Sequence, residues 1–283
     1  MDINSDKLVT TTWLAENLED PNIRILEIGR DERGEIYSEG HIPNAVFWFW
    51  KDKLWHNSDR EFASPVEIAR YLGEIGTTEK SKIILYGDPI QYGTYGLWVL
   101  TMAGFNNVYL LDGGRTKWVA EGRCLSKIIP QFEPYEVISS GANLSTRIGR
   151  DEVLKNLKDS KRVLVDARSR EEYMGERVSP PGGFDHGAER VGRIPGAQPL
   201  FFRDLLNEDD TFIPAEKIIE KFRPLGIEVG HENDVVTYCR LSHRATLLWF
   251  ALTHILNIPN VKVYDGSWTE WGSIVGFPVE KNS

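Results

Sequence analysis

Of the two cysteines in the 283-residue chain, Cys239 has the more informative surroundings: Val235-Val236-Thr237-Tyr238-Cys239-Arg240-Leu241-Ser242-His243-Arg244-Ala245. The apolar, β-branched start reads as a buried strand, and the residues after Arg244 read as a mostly apolar helix over 245–256. Between them there is room only for a tight loop, 239–244. A thiol at such a junction, among two arginines and a histidine, suits nucleophilic chemistry. Free thiols titrate near about 8.5, and a helix amino end with neighbouring cations lowers that by several units. Successive N–H groups in the loop converge on its centre, so an anion should bind there. The competing role for a free cysteine is that of a small buried hydrophobe. The strand, cationic loop and helix favour reactivity for Cys239, whereas Cys124, in Glu121-Gly122-Arg123-Cys124-Leu125, lacks such flanks and reads as structural.

The elements that must hold Cys239 are visible in duplicate. Gly40-His41-Ile42-Pro43-Asn44-Ala45 recurs as Gly192-Arg193-Ile194-Pro195-Gly196-Ala197, Ile83-Ile84-Leu85-Tyr86-Gly87 as Val235-Val236-Thr237-Tyr238-Cys239, and Leu111-Asp112-Gly113-Gly114 with Trp118 as Tyr264-Asp265-Gly266-Ser267 with Trp271. The separations are 152, 152 and 153 residues. A duplicated domain of ordinary size follows. Each copy alternates strands and helices, which predicts an α/β fold: two domains, each a mostly parallel sheet with helices on both faces and ligands outside the carboxyl ends of the strands. The second copy should place strands at 163–166, 235–238 and 261–264 and helices at 214–222 and 245–256. The first should place strands at 23–28, 82–86 and 108–111, a helix entered through the capping box Ser64-Pro65-Val66-Glu67, and one over 92–103 ended by Gly104. The expected division is 1–125, a linker at 126–145, and 146–283. Prolines, serines and Gly141 mark that connecting stretch, which begins at about residue 122.

Composition narrows the function. With 41% hydrophobic and 27% charged residues the chain is globular, and a net charge of -9 argues against nucleic acid as the main partner. No apolar run is long enough for a membrane span, and Met1-Asp2-Ile3-Asn4-Ser5-Asp6 lacks the regions of a signal peptide, so a cytoplasmic protein is expected. Two cysteines provide no disulfide framework, and His and Cys residues show no metal-ligand spacing.

The repeated Gly-x-Ile-Pro-x-Ala segments, Leu-Asp-Gly-Gly-Arg, Tyr-Asp-Gly-Ser-Trp-Thr-Glu-Trp and the cysteine that opens a six-residue loop make the chain resemble, over nearly its whole length, a tandem-domain rhodanese. That family comprises the thiosulfate and 3-mercaptopyruvate sulfurtransferases. The resemblance implies a catalytic carboxy-terminal domain and an inactive amino-terminal copy. Gly87 and Asp88 stand where Cys239 and Arg240 stand, so the first copy has neither nucleophile nor cationic rim. It further implies that the Cys239 thiolate takes the sulfane sulfur of a small anionic donor, thiosulfate, as a persulfide and hands it to cyanide or a thiol, without a cofactor. Arg168, Arg240, Ser242, His243 and Arg244 are the expected substrate-binding residues, guanidinium groups pairing well with oxyanions. Tyr92 would be a pocket-wall residue by similarity. Asp166 and Asp265 are expected to pin turns.

Two departures bear on the donor. Thiosulfate enzymes of the vertebrate type carry Cys-Arg-Lys-Gly-Val-Thr and mercaptopyruvate enzymes Cys-Gly-Ser-Gly-Val-Thr, whereas here Leu241 replaces the lysine. The loop is closer to a microbial branch with arginine at the second and sixth positions, and Arg244 is expected to supply the missing charge. A mercaptopyruvate enzyme and a noncatalytic sulfur carrier or sensing module are the alternatives. A phosphatase or arsenate reductase is disfavoured, because its loop is Cys-x5-Arg and this one is Cys-x4-Arg. The Gly- and Pro-rich insert at 175–191 is long enough to cover a cleft.

Overall fold

Strands buried on both faces need near-continuous apolar runs, and the runs singled out above form the centres of two parallel sheets. The structure, a computed structural model, describes residues 5–181, 187–232 and 234–281. These fall into two units: Ser5–Leu144 together with Glu208–Phe212, and Ser145–Asn207 together with the chain from Ile213 onward.

The first unit contains β1 (Leu8–Val9), β2 (Ile23–Gly29), β3 (Ala45–Phe49), β4 (Lys82–Asp88) and β5 (Val108–Leu111), in the order β1-β5-β4-β2-β3. The second contains β6 (Arg147–Ile148), β7 (Arg162–Asp166), β8 (Gln198–Pro199), β9 (Asp234–Tyr238) and β10 (Val261–Tyr264), in the equivalent order β6-β10-β9-β7-β8. All pairings in both sheets are parallel. In both sheets the central pair brings a carboxylate opposite a tyrosine, Glu27 opposite Tyr86 and Asp166 opposite Tyr238. The family resemblance and the two α/β halves therefore agree with the architecture observed.

Local signals explain the helices. Ser64 accepts from the Glu67 N–H at 3.2 Å while Glu67 accepts from the Ser64 N–H at 2.8 Å, closing the predicted capping box ahead of the helix Pro65–Glu74. The helix Gln91–Met102 ends as Gly104 turns left-handed at φ 89°. The helix after Cys239 spans His243–Phe250 and continues as a π-helical turn over Ala251–Ile255, so it starts two residues before the predicted position. Ser242, at φ 68°, makes the sharp turn that permits this early start.

Two boundaries differ from the sequence expectation. The stretch expected to be a linker packs as an extended strap on the first unit: Tyr135 N–H donates to the Gly73 carbonyl at 3.0 Å and Asn143 N–H to that of Met102 at 2.7 Å. Residues 208–212, expected in the second domain, also join the first unit. Lys117 Nζ lies 2.8 Å from Asp209 Oδ2, and the Phe212 N–H donates to Asp112 Oδ1 at 3.0 Å. Of the 175–191 insert, residues 182–186 lie outside the described residues.

Candidate functional site

Strand β9 ends at Tyr238, and Cys239 follows at its carboxyl end, 1% exposed and with a free thiol. The loop is stapled to the segment after β10. The Cys239 N–H donates to Ser267 Oγ at 3.1 Å, the Trp268 N–H donates to the Cys239 carbonyl at 2.9 Å, and the Thr269 N–H to that of Arg240 at 3.1 Å. Ser267 Oγ donates in turn to the Tyr264 carbonyl at 2.8 Å. The main chain is thus gripped on the side of the helix Ser267–Trp271. Among the described residues the N–H groups of Leu241, Ser242, Arg244 and Ala245 have no backbone acceptor, whereas that of His243 folds back on the Leu241 carbonyl at 3.0 Å. Such a run of amides beside a thiol can stabilise an anion.

The structure brings Cys239, Arg240, Ser242, His243 and Arg244 together on one turn but gives several of them internal duties. Ser242 Oγ faces the Leu241 carbonyl at 2.5 Å and Asp265 Oδ1 at 3.1 Å, and Asp265 also accepts from Arg147 at 3.2 Å. The Ser242 hydroxyl therefore pins the turn; it was expected to contact substrate. Asp265 holds the turn as predicted from its position. His243 is buried in the first turn of the helix, and Arg240 is half-exposed.

Arg244 differs most from expectation. Its guanidinium is nine-tenths buried and forks onto Glu172, Nη1 to Oε2 at 2.7 Å and Nη2 to Oε1 at 2.8 Å. Burial opposes ionisation of Glu172, yet the hydrogen bonds and charge of Arg244 hold its carboxyl below the ordinary carboxylate range. Burial opposes the cation of Arg244, yet the hydrogen bonds and charge of Glu172 hold its pKa above the ordinary value. Arg244 thus carries no surplus charge to replace the lysine absent at Leu241, because Glu172 balances it.

Arg168 also departs from the sequence expectation of a substrate ligand. Its side chain has no exposed surface and donates to Asp166 through Nε at 2.9 Å and Nη2 at 2.7 Å, and to the Gly192 carbonyl at 2.7 Å. Its guanidinium lies 4.7 Å from the centre of the Trp268 ring. The Tyr238 hydroxyl donates to the same Asp166 carboxylate at 2.7 Å, and burial together with that charge pushes the phenol well above its ordinary value. Asp166, Arg168 and Tyr238 form a buried network that ties β7 to β9 and to the Gly192 turn, with Nη1 of Arg168 buried and left without a hydrogen-bond partner among the described residues. An ion so enclosed is a strut. Tyr92, the suggested wall residue, belongs to the first unit, half-buried with its ring 6.1 Å from Trp50.

The residues that sequence reasoning missed are Glu172, Ser267 and Trp268. Glu172 had a detectable signal: Ser169-Arg170-Glu171-Glu172 is a capping box, and it closes in the structure ahead of the helix Arg170–Met174. Nothing in the spacing announces its second partner, Arg244, 72 residues on.

Comparison with known proteins agrees with this geometry. The rhodanese-like domain family matches residues 10–121 and again 150–274. The chain is 40% identical to the sulfur carrier protein TtuD of Thermus thermophilus over 97% of its own length and 96% of the relative's. It is 36% identical, over all of its length and 99% of the relative's, to a Haloferax volcanii protein provisionally named thiosulfate sulfurtransferase. Its fold matches that of SseA from Escherichia coli, a 3-mercaptopyruvate sulfotransferase, with a TM-score of 0.77 and 24% identity across 92% of this chain and 98% of that one. No helix among the described residues is long and apolar enough to cross a membrane. With two matched domains and relatives of this identity along its whole length, the chain belongs to the rhodanese family of sulfurtransferases and sulfur carriers.

Proposed function

We propose that this protein is a thiosulfate sulfurtransferase that moves the outer sulfur of thiosulfate through a persulfide on Cys239 to cyanide or a thiol. The observation that carries this reading is the thiol at the end of β9, enclosed by a turn in which the N–H groups of Leu241, Ser242, Arg244 and Ala245 have no backbone acceptor among the described residues. In the first half-reaction the Cys239 thiolate attacks the sulfane sulfur, the sulfur–sulfur bond of thiosulfate breaks, and sulfite leaves with the bonding pair. In the second, cyanide or a thiolate attacks the outer sulfur of the persulfide and Cys239 departs as thiolate. The loop amides stabilise each anionic form, and Arg240 and His243 lie on the same turn to favour a negatively charged donor. Arg244 supports this chemistry by anchoring the end of the turn to Glu172, and Arg168 by tying β7 to the Gly192 turn beside Trp268.

The test is mass spectrometry of the protein after thiosulfate. One added sulfur on Cys239, lost to cyanide and absent in Cys239→Ser, supports the enzyme; no added sulfur rejects it. A carrier is the second reading, favoured by the 40% identity to a sulfur carrier protein. Sulfur that stays on Cys239 in the presence of cyanide and small thiols, but leaves to a protein acceptor, identifies the carrier. Faster turnover of 3-mercaptopyruvate than of thiosulfate would reassign the donor.

A further inference from the structure

We propose that Glu172 is a positioning residue for sulfur transfer: its buried carboxylate locks Arg244 at the close of the Cys239 turn and cancels that arginine's charge near the thiol. The inference rests on the assignment of Cys239 as the sulfur-bearing residue.

Three observations carry it. First, both oxygens of Glu172 meet Arg244, at 2.7 and 2.8 Å, which fixes the plane of the guanidinium as well as its distance. Second, Glu172 is itself held: Oε2 accepts from the Ser169 N–H at 3.2 Å and the residue is fully buried at the start of its helix. Third, the duplicated copy removes the arrangement as a set. The Tyr37 and Tyr173 hydroxyls both donate, at 2.8 Å, to the carbonyls of the matching alanines Ala45 and Ala197, and this aligns Ile36 with Glu172. Tyr92 aligns with Arg244 by the repeat spacing. The copy without a thiol in this turn thus has neither carboxylate nor guanidinium at these places.

The turn depends on such anchors because Ser242 holds a left-handed conformation unusual for a residue with a side chain. Beside the backbone staples to Ser267, Trp268 and Thr269, two carboxylates anchor its side chains, Asp265 on Ser242 and Glu172 on Arg244. The charged and titratable groups at the turn are Arg240 and His243 on it, Arg168 after β7, Asp265 after β10, and the Glu172–Arg244 pair. Glu172 is the carboxylate that touches the arginine.

The experiment follows the pH dependence of Cys239 alkylation by iodoacetamide, and single-turnover sulfur uptake from thiosulfate, in the full chain. Glu172→Gln leaves Arg244 as an unbalanced buried cation, so the alkylation midpoint should fall by about one pH unit. Sulfur uptake should slow about tenfold as the turn loosens. Glu172→Asp keeps the charge and should restore the wild-type midpoint. Ser169→Ala removes the capping hydroxyl, which also accepts from Arg177, but keeps the N–H that holds Glu172, and should leave midpoint and uptake unchanged. A wild-type midpoint in Glu172→Gln, or the same shift in Ser169→Ala, overturns the proposal. If Glu172→Gln does not fold, the pair Glu172→Gln with Arg244→Met removes both charges: a wild-type midpoint with slowed uptake supports the role, and wild-type uptake overturns it. If wild-type protein gains no sulfur, the assignment of Cys239 as the sulfur-bearing residue fails while the alkylation series still tests Glu172.

Discussion

The two copies share their framework, and the turn after the central strand shows how the same fold was kept with a thiol in that turn and without one. In both, a tyrosine in the carboxyl-terminal part of the strand donates to a carboxylate on the neighbouring strand: Tyr238 to Asp166 at 2.7 Å and Tyr86 to Glu27 at 2.5 Å. Each tyrosine oxygen also accepts, at 3.3 Å, from the N–H of the isoleucine in the Gly-x-Ile-Pro turn, Ile194 or Ile42. The turns that follow are opposites. Around Cys239 the chain leaves room for a side chain at its centre. Around Gly87 a Cβ would lie 2.2 Å from Gly93 N and 2.7 Å from the Pro89 carbonyl oxygen, so backbone has moved in where the thiol would be.

The cations have also changed places. In the second copy Arg168 balances Asp166 and donates to the Gly192 carbonyl, with Trp268 stacked beside it. In the first, Gly29 aligns with Arg168, and a Cβ there would stand 2.0 Å from the Phe47 ring. The donor to the matching Gly40 carbonyl is Arg115, which aligns with Trp268 and reaches it at 3.0 Å. Arg115 forms no ion pair with Glu27, so burial pushes the Glu27 carboxyl up to about 7 despite the hydrogen bond from Tyr86. A duplicated sheet can therefore keep one hydrogen-bond pattern while its charge balance is built differently.

Breaking the comparison at its strongest point, Cys239→Ser should reduce sulfur transfer by at least about a thousandfold, since a covalent nucleophile has no substitute in the turn. Steady-state thiocyanate formation measures this. Arg168→Met should destabilise the second unit by about 3–5 kcal/mol, because Asp166 would be left as a buried unpaired carboxylate. Urea unfolding reads the effect, and a loss below about 1 kcal/mol with lost activity would return Arg168 to the role of ligand.

Glu27 sharpens the contrast through pH. Its folded pKa lies above its unfolded value, so its neutral form is favoured in the fold and the folded state binds more protons in between. The stability it contributes is present below about pH 4.5 and is lost as pH rises through about 7. The loss is on the order of 3 kcal/mol. Tyr86, Asp88, Asp31 and Arg115 are the charged or titratable groups acting on it. Glu27→Gln should flatten this part of the profile, measured as denaturant midpoint against pH; an unchanged slope would show that Glu27 is ionised in the fold. The smallest expected effect is that of Gly87→Cys in the Cys239→Ser background. It should destabilise the first unit by about 1–3 kcal/mol through overpacking and gain no sulfur from thiosulfate. Sulfur uptake there would mean that the degenerate turn can reopen.

The sequence by itself determined the duplication, the α/β alternation, the helix entry at Ser64 and the place of Cys239 at the carboxyl end of a central strand. Those features are written locally, in apolar periodicity, capping residues and repeat spacing, which need no knowledge of distant partners. Only the tertiary structure decided what the arginines do. Arg168 and Arg244 look alike in sequence to Arg240, a cation beside a thiol. Their carboxylate partners, however, lie two residues away across a buried turn and 72 residues away on another helix. Whether a guanidinium is available to a substrate or balanced within the protein depends on burial and pairing, and these exist only once the chain has closed. The same holds for residues 208–212, whose composition fits either unit and whose place was set by Lys117, Thr116 and Asp112.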